Sequence, residues 1–305
     1  MPTAVIAATD FTPRSAQVAS RAALIAQALG GRLILAHALP ESPPPDEDAQ
    51  LEPVAQSNTS ESAAPVPPGT LGRLARRLRL RPAISSAAEA MALLRAGART
   101  TGADTRVRLV YGQPGPALAQ LAIEEGAALM VLGLHRERRV LDLMRLTSME
   151  RIVLDAPVPV LIAHQPQAED YRKVLSLTDF SPAAARSLAM SARIAPKAAF
   201  HAIHALQLPL GTRFAADDPG ADAALTRAEM LRDAFMDMPG LPALREPPEI
   251  VPGGVHEVLA FRQGELAAEL VCIGTHSGRD PLQLGNYARD LMRAPPTDLL
   301  VAKPL

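Results

Sequence analysis

Residues 129–164, LMVLGLHRERRVLDLMRLTSMERIVLDAPVPVLIAH, decide the fold. The stretch reads as a buried apolar strand, a loop opening at Gly133, a helix and a second buried strand. A near-copy occupies 270–303, LVCIGTHSGRDPLQLGNYARDLMRAPPTDLLVAK. Both run through apolar strand, Gly-x-His, basic or polar loop, short helix, Ala-Pro or Pro-Pro and apolar strand. Agreement over this length points to a duplication.

Working outward, the duplication reaches the start of the chain. Residues 5–13 read VIAATDFTP and residues 174–182 read VLSLTDFSP. Asp10 and Asp179 lie 169 positions apart, whereas Gly133 and Gly274 lie 141 apart. The first half therefore carries an insertion of about 28 residues. Residues 40–70, PESPPPDEDAQLEPVAQSNTSESAAPVPPGT, supply it. Proline, serine and acids with no apolar period cannot bury enough surface to offset the entropy of ordering. Residues 41–68 are accordingly expected to be a mobile insert.

At 305 residues, 48% of them hydrophobic, the chain is long enough for two ordinary cores. The expected domains are 1–164, including the insert, and 172–305, joined by the polar linker around QPQAEDY (165–171). A formal charge of −1 gives no global attraction to nucleic acid or anionic membranes. The single cysteine, Cys272, excludes an internal disulfide and, mid-strand, reads as a buried inert thiol. Asp10 and Arg14 interrupt the first apolar run and no basic region precedes it, unlike a signal peptide. No run of roughly 18 apolar residues could cross a membrane. The expected location is cytoplasmic.

In order, short apolar runs alternate with helical stripes. Thr3 to Ala8 reads as a parallel strand, Pro13 as the opening of a helix with Val18, Ala22, Ile25 and Leu29 on one face, and Gly30-Gly31 as its stop. Strands follow at 32–38, 106–111, 129–132 and 158–163, with helices over 71–97 (broken by Pro82), 116–125 and 148–154. The second half repeats strands at 173–177, 199–205, 249–251, 270–273 and 298–302. Its helices span 183–194, 222–236 (capped by Asp222), 255–267 and 286–292. Such alternation predicts an α/β fold of two tandem, doubly wound, five-stranded parallel sheets.

These features together resemble the tandem universal stress proteins: TDFTP and TDFSP after the first strands, Gly-Gln-Pro at 112–114, VLGLH and CIGTH, and ERIVLDAPVPVLIAH. The resemblance covers nearly all of the chain outside the insert. It implies an adenine nucleotide α-hydrolase-like fold whose units pair through their last strands. The two halves are then expected to pack as an intramolecular pseudo-dimer, with homodimerisation a further option. It also implies a regulator acting through protein partners in stress signalling rather than a catalyst, and a family in which some members bind ATP and others do not.

Ligands in doubly wound sheets sit beyond the carboxyl ends of the strands, at the switch point. Asp10 and Asp179 fall there, each either contacting an adenosine moiety, as the resemblance implies, or shaping the turn. The family's ATP pattern is Gly, two residues, Gly, nine residues, then Gly and Ser or Thr. The first half keeps the spacing as Gly133, Arg136 and Leu146-Thr147, but both later glycines are lost. Thr147-Ser148-Met149-Glu150 also reads as a capping box. The second half offers Ile273, Gly274, Ser277, Gly278, Gly285 and Asn286, beside Thr178 and Asp179, with a loop two residues short. Asn286 could itself cap the helix. Adenine nucleotide, ATP or another, is therefore expected to bind at most weakly and in the second half, with no cofactor required and with Asp10, Gly133, Arg136 and Thr147 the weaker candidates.

No catalytic set or metal site is expected. His201 and His204, three apart in a strand, point to opposite faces. The run RLARRLRLR (73–81) reads as a solvated helix face, with nucleic-acid contact as the competing option. Two functions thus stand beside the regulator: an ATP-binding switch or slow ATPase using the second half, and a nucleic-acid-associated stress protein.

Overall fold

The computed structural model describes residues 3–40, 86–102, 104–134, 147–208, 219–275 and 284–304. The insert 41–68, the basic run 73–81, Arg136, Ser277 and Gly278 lie outside the described residues.

The first half contains β1 (Ala4–Ala8), α1 (Ser15–Ala28), β2 (Arg32–Leu39), α2 (Ala87–Arg99), β3 (Thr105–Tyr111), α3 (Pro114–Glu124), β4 (Ala127–Gly133), α4 (Ser148–Asp155) and β5 (Val160–Ala163). The second contains β6 (Lys173–Leu177), α5 (Pro182–Ile194), β7 (Ala199–Leu206), α6 (Pro219–Met236), β8 (Glu249–Pro252), α7 (Val255–Leu266), β9 (Leu270–Gly274), α8 (Asn286–Arg293) and β10 (Asp298–Ala302). They form one ten-stranded sheet in the order β3-β2-β1-β4-β5-β10-β9-β6-β7-β8. All pairs within a half are parallel. The junction of β5 with β10 is antiparallel, with Leu161 facing Leu300. This is the pseudo-dimer the sequence predicts, and it covers the edge that each terminal strand would otherwise expose.

Helices cover both faces. Val18 of α1, Leu94 of α2, Leu188 of α5 and Phe235 of α6 belong to one apolar layer. Leu121 of α3, Val153 of α4, Leu259 of α7 and Leu291 of α8 belong to the other. Strands buried on both faces explain the continuous apolar runs in the sequence.

Some predicted boundaries shift for local reasons. Helix α6 begins at Pro219, so Asp222 lies in its first turn and does not cap it. Helix α1 begins two residues after Pro13, with Arg14 at the N-cap and no side-chain cap bond. Helix α2 is capped by Ser86, whose hydroxyl accepts from Glu89 N at 3.1 Å.

Where the halves meet, Asp298 is fully buried and accepts four contacts. His164 N (2.7 Å) and Gln165 N (2.8 Å) donate to Oδ1; Tyr171 OH (2.6 Å) donates to Oδ2, with Arg21 Nε at 3.0 Å from the same oxygen. Arg21 lies over the Tyr171 ring, 4.4 Å from its centroid, and donates to the carbonyls of Gln167 and Glu169. The linker is thereby pinned to both halves. Burial, then the neighbouring Asp298, pushes the Tyr171 phenol well above its ordinary pKa.

Ser176 Oγ, on β6 and fully buried, has no hydrogen-bond partner. The equivalent position in β1 is Ala7. An unmade buried hydroxyl bond costs about 1–3 kcal/mol. Ser176→Ala is therefore expected to leave stability unchanged or raise it by about 1 kcal/mol in urea unfolding; a loss of that size would mean the hydroxyl has a partner after all.

Candidate functional site

Each half builds the same turn beyond its first strand. In the first, Thr9 Oγ1 accepts from Phe11 N (3.0 Å) and Asp10 Oδ1 from Thr12 N (2.9 Å). In the second, Thr178 Oγ1 accepts from Phe180 N (2.8 Å) and Asp179 Oδ1 from Ser181 N (3.0 Å). Both phenylalanines adopt left-handed backbone, with φ of 56° and 63°. That costs roughly 1–2 kcal/mol for a residue with a Cβ, and the flanking bonds hold it. Shaping this turn is thus a role both aspartates demonstrably play. Asp10 is exposed, whereas Asp179 is half-buried.

A histidine completes each turn. His37 Nδ1 donates to Thr9 O at 2.7 Å and His204 Nδ1 to Thr178 O at 2.8 Å. Each ring packs on the phenylalanine, with centroids 4.5 and 4.7 Å apart. The sequence carried a signal for this pair, His-Ala-Leu at both 37–39 and 204–206, but His204 drew notice only beside His201. His201 instead sits near Arg245 and Lys173; burial first, then Arg245, lowers its pKa. Among the described residues, no three His, Cys, Asp or Glu side chains gather as metal ligands.

The strand ends converge as the fold requires. Val174, Leu175 and Ser176 pair with Leu270, Val271 and Cys272, which sets Thr178 and Asp179 beside Gly274. Ala8 pairs with Leu132, which sets Thr9 and Asp10 beside Gly133. The two glycines serve packing. A Cβ on Gly274 would lie 2.9 Å from Ala183 Cβ and 3.0 Å from Ala184 N; one on Gly133 would lie 3.0 Å from Val18 Cγ2. The Ile273 side chain is buried in the core, so only its main chain could face a ligand.

Of the two helix N-termini that would receive phosphate, that of α4 is capped by its own side chains and that of α8 has no side-chain cap. At α4, Thr147 Oγ1 accepts from Glu150 N (3.2 Å) while Glu150 Oε2 accepts from Thr147 N (2.6 Å), the capping box expected from sequence. A carboxylate thus occupies the place of an anion. At α8 the N-cap is Gly285, and Asn286 is the first helical residue, not the cap. Gly285 N donates to Thr275 O at 2.9 Å and is spent. Gly285 has φ −58°, which any residue can adopt, so its glycine spares no backbone strain. The caps also correct the alignment of the loops. Gly133 to the cap Thr147 is 14 positions and Gly274 to the cap Gly285 is 11, so the second loop is three residues shorter.

Comparison with known proteins places this architecture. The model of the universal stress protein family matches residues 1–164. A putative universal stress protein from Pseudomonas aeruginosa UCBPP-PA14 is similar in structure at 18% identity and TM-score 0.59, covering 99% of this chain and 94% of that one. A universal stress protein from Archaeoglobus fulgidus DSM 4304 gives 16% identity and TM-score 0.61, covering 99% and 96%. A functionally unknown protein from Pseudomonas aeruginosa PAO1 gives 18% identity and TM-score 0.57, covering 99% and 93%. No curated protein matches. Among the described residues, no helix is long and apolar enough to cross a membrane.

Proposed function

Because the chain belongs to the universal stress protein family, we propose that it is a non-catalytic stress-response regulator that works through protein partners, with adenine nucleotide bound at most weakly and only in the second half. Residues 1–164 and 172–305 are its two domains in this proposal, paired within one chain in the cytoplasm. The observation that carries the proposal is the state of the two helix N-termini. The Glu150 carboxylate fills one, and the Gly285 N–H of the other is bonded to Thr275 O. A phosphate at α4 would have to displace the Glu150 carboxylate, which Arg293 holds in place, and one at α8 would have to displace a main-chain bond.

The second half keeps the better case for a nucleotide. Asp179 is half-buried beside Gly274, and among the described residues no side chain caps the α8 end at Gly285. Thermal-shift titration of wild type, Asp10→Ala and Asp179→Ala with ATP tests this. A ligand present at its dissociation constant stabilises by about 0.4 kcal/mol, or about 1 °C at 2–4 °C per kcal/mol. A shift no larger than that at millimolar ATP is expected, lost in Asp179→Ala and kept in Asp10→Ala. A shift of several degrees, or one that depends on Asp10, contradicts the proposal.

A further inference from the structure

We propose that the two halves recognise each other, and reject a second copy of themselves, through two ion pairs with buried carboxylates that each occur only once across the pseudo-twofold axis. Arg21 Nε lies 3.0 Å from Asp298 Oδ2, the side chains 3% and 0% exposed. Glu150, 0% exposed, receives Arg293 Nε at 2.9 Å on the opposite face of the sheet, with Arg289 Nε at 3.8 Å. In both pairs one partner comes from each half.

The axis passes at Leu161 and Leu300, which face each other in the antiparallel junction. Equivalent positions follow from the elements themselves. The caps Thr147 and Gly285 make Glu150 equivalent to Ala288, and Asp155 to Arg293. The repeated TDF turns make Arg21 equivalent to Met190. Gly133 pairs with Ala163 as Gly274 pairs with Ala302, which makes Pro159 equivalent to Asp298. Rotated about the axis, the first ion pair becomes Met190 with Pro159, and the second becomes Ala288 with Asp155. Neither can form an ion pair.

Like-with-like pairing therefore strands charge. Two first halves would set Arg21 against Pro159 and Glu150 against Asp155. Two second halves would set Asp298 against Met190 and Arg293 against Ala288. A buried charge without its partner is strongly disfavoured. The apolar strands do not discriminate: Val160, Leu161 and Ile162 could pair with themselves as well as with Leu299, Leu300 and Val301. Specificity is a difference in affinity, and here the charges supply it. They exclude first-with-first and second-with-second contacts between chains, the contacts that would string a two-unit chain into open polymers. The linker then favours the partner in the same chain.

The test cuts the tether after folding. A protease site is inserted in the full chain between Pro166 and Gln167, both exposed. The folded protein is cut, mixed with a cut ¹⁵N-labelled copy, and followed by native mass spectrometry until labels have exchanged. Pairs of unlike halves are expected to exceed pairs of like halves by at least tenfold over the statistical ratio. Arg293→Glu, and separately the double variant Arg21→Met with Asp298→Ala, should each reduce that preference severalfold. The Arg293→Glu site is partly exposed, so that variant keeps the test usable if the double variant does not fold. Like pairs at the statistical ratio, a preference untouched by both variants, or halves that part on cutting would each overturn the proposal.

Discussion

Asp298→Ala is expected to destabilise the chain by about 3–5 kcal/mol, the cost of leaving a buried charge without its partner. The guanidinium of Arg21 would keep only the Gln167 and Glu169 carbonyls and the Tyr171 ring face. The Tyr171 hydroxyl and the His164 and Gln165 amides would lose their acceptor as well. At roughly 2–4 °C per kcal/mol the melting temperature should fall by about 10 °C. Arg21→Met should cost less, because three donors still satisfy the carboxylate. The double variant should cost less than the two singles together, since the side chains are in contact. Guanidinium unfolding of the four proteins measures this. Asp298→Ala within about 1 kcal/mol of wild type would show that the cluster does not hold the halves together.

Cys272 is expected to react with iodoacetamide at pH 8 at least a thousandfold more slowly in the folded chain than in denaturant. The thiol lies in β9, fully buried, and burial pushes its pKa up to about 12. The thiolate is the nucleophile, and at pH 8 such a thiol is ionised about once in ten thousand, against roughly a quarter for a free one near 8.5. Steric closure adds to this, so the observed rate should track global unfolding. A raised folded pKa contributes stability that is complete below the unfolded value and is lost as pH rises through the interval up to about 12. The Tyr171 phenol, also raised, acts in the same alkaline direction. Stability should therefore decline above about pH 9, and labelling within the dead time of mixing at pH 8 would show β9 open in the native state.

Much of the fold was legible because buried parallel strands must be apolar throughout. The predicted strands at 173–177 and 298–302 coincide with β6 and β10. The capping box at Thr147 was legible because it is local, with both partners three residues apart. The Arg21–Asp298 pair was not. Arg21 lies beside Val18 and Ile25 at the edge of the apolar stripe, where a guanidinium reads as solvated, and its carboxylate lies almost the whole chain away. A charged residue at a strand start gives no sign of being fully buried. The N-cap at Gly285 was missed for a related reason: Asn286 is the better cap by residue type, but the bond from Gly285 N to Thr275 O fixes where α8 begins. Local preference lost to a tertiary contact.

The same contrast governs the site. The repeated TDF turns announced themselves, yet their hydrogen bonds to Phe11 and Phe180, and the histidines beneath, show how fully these residues are used in holding the turn. If the helix ends turn phosphate away, mass spectrometry of small molecules released from the chain, purified without added nucleotide, should find far less than one adenine nucleotide per chain. One or two nucleotides retained per chain would show that the helix ends accept phosphate.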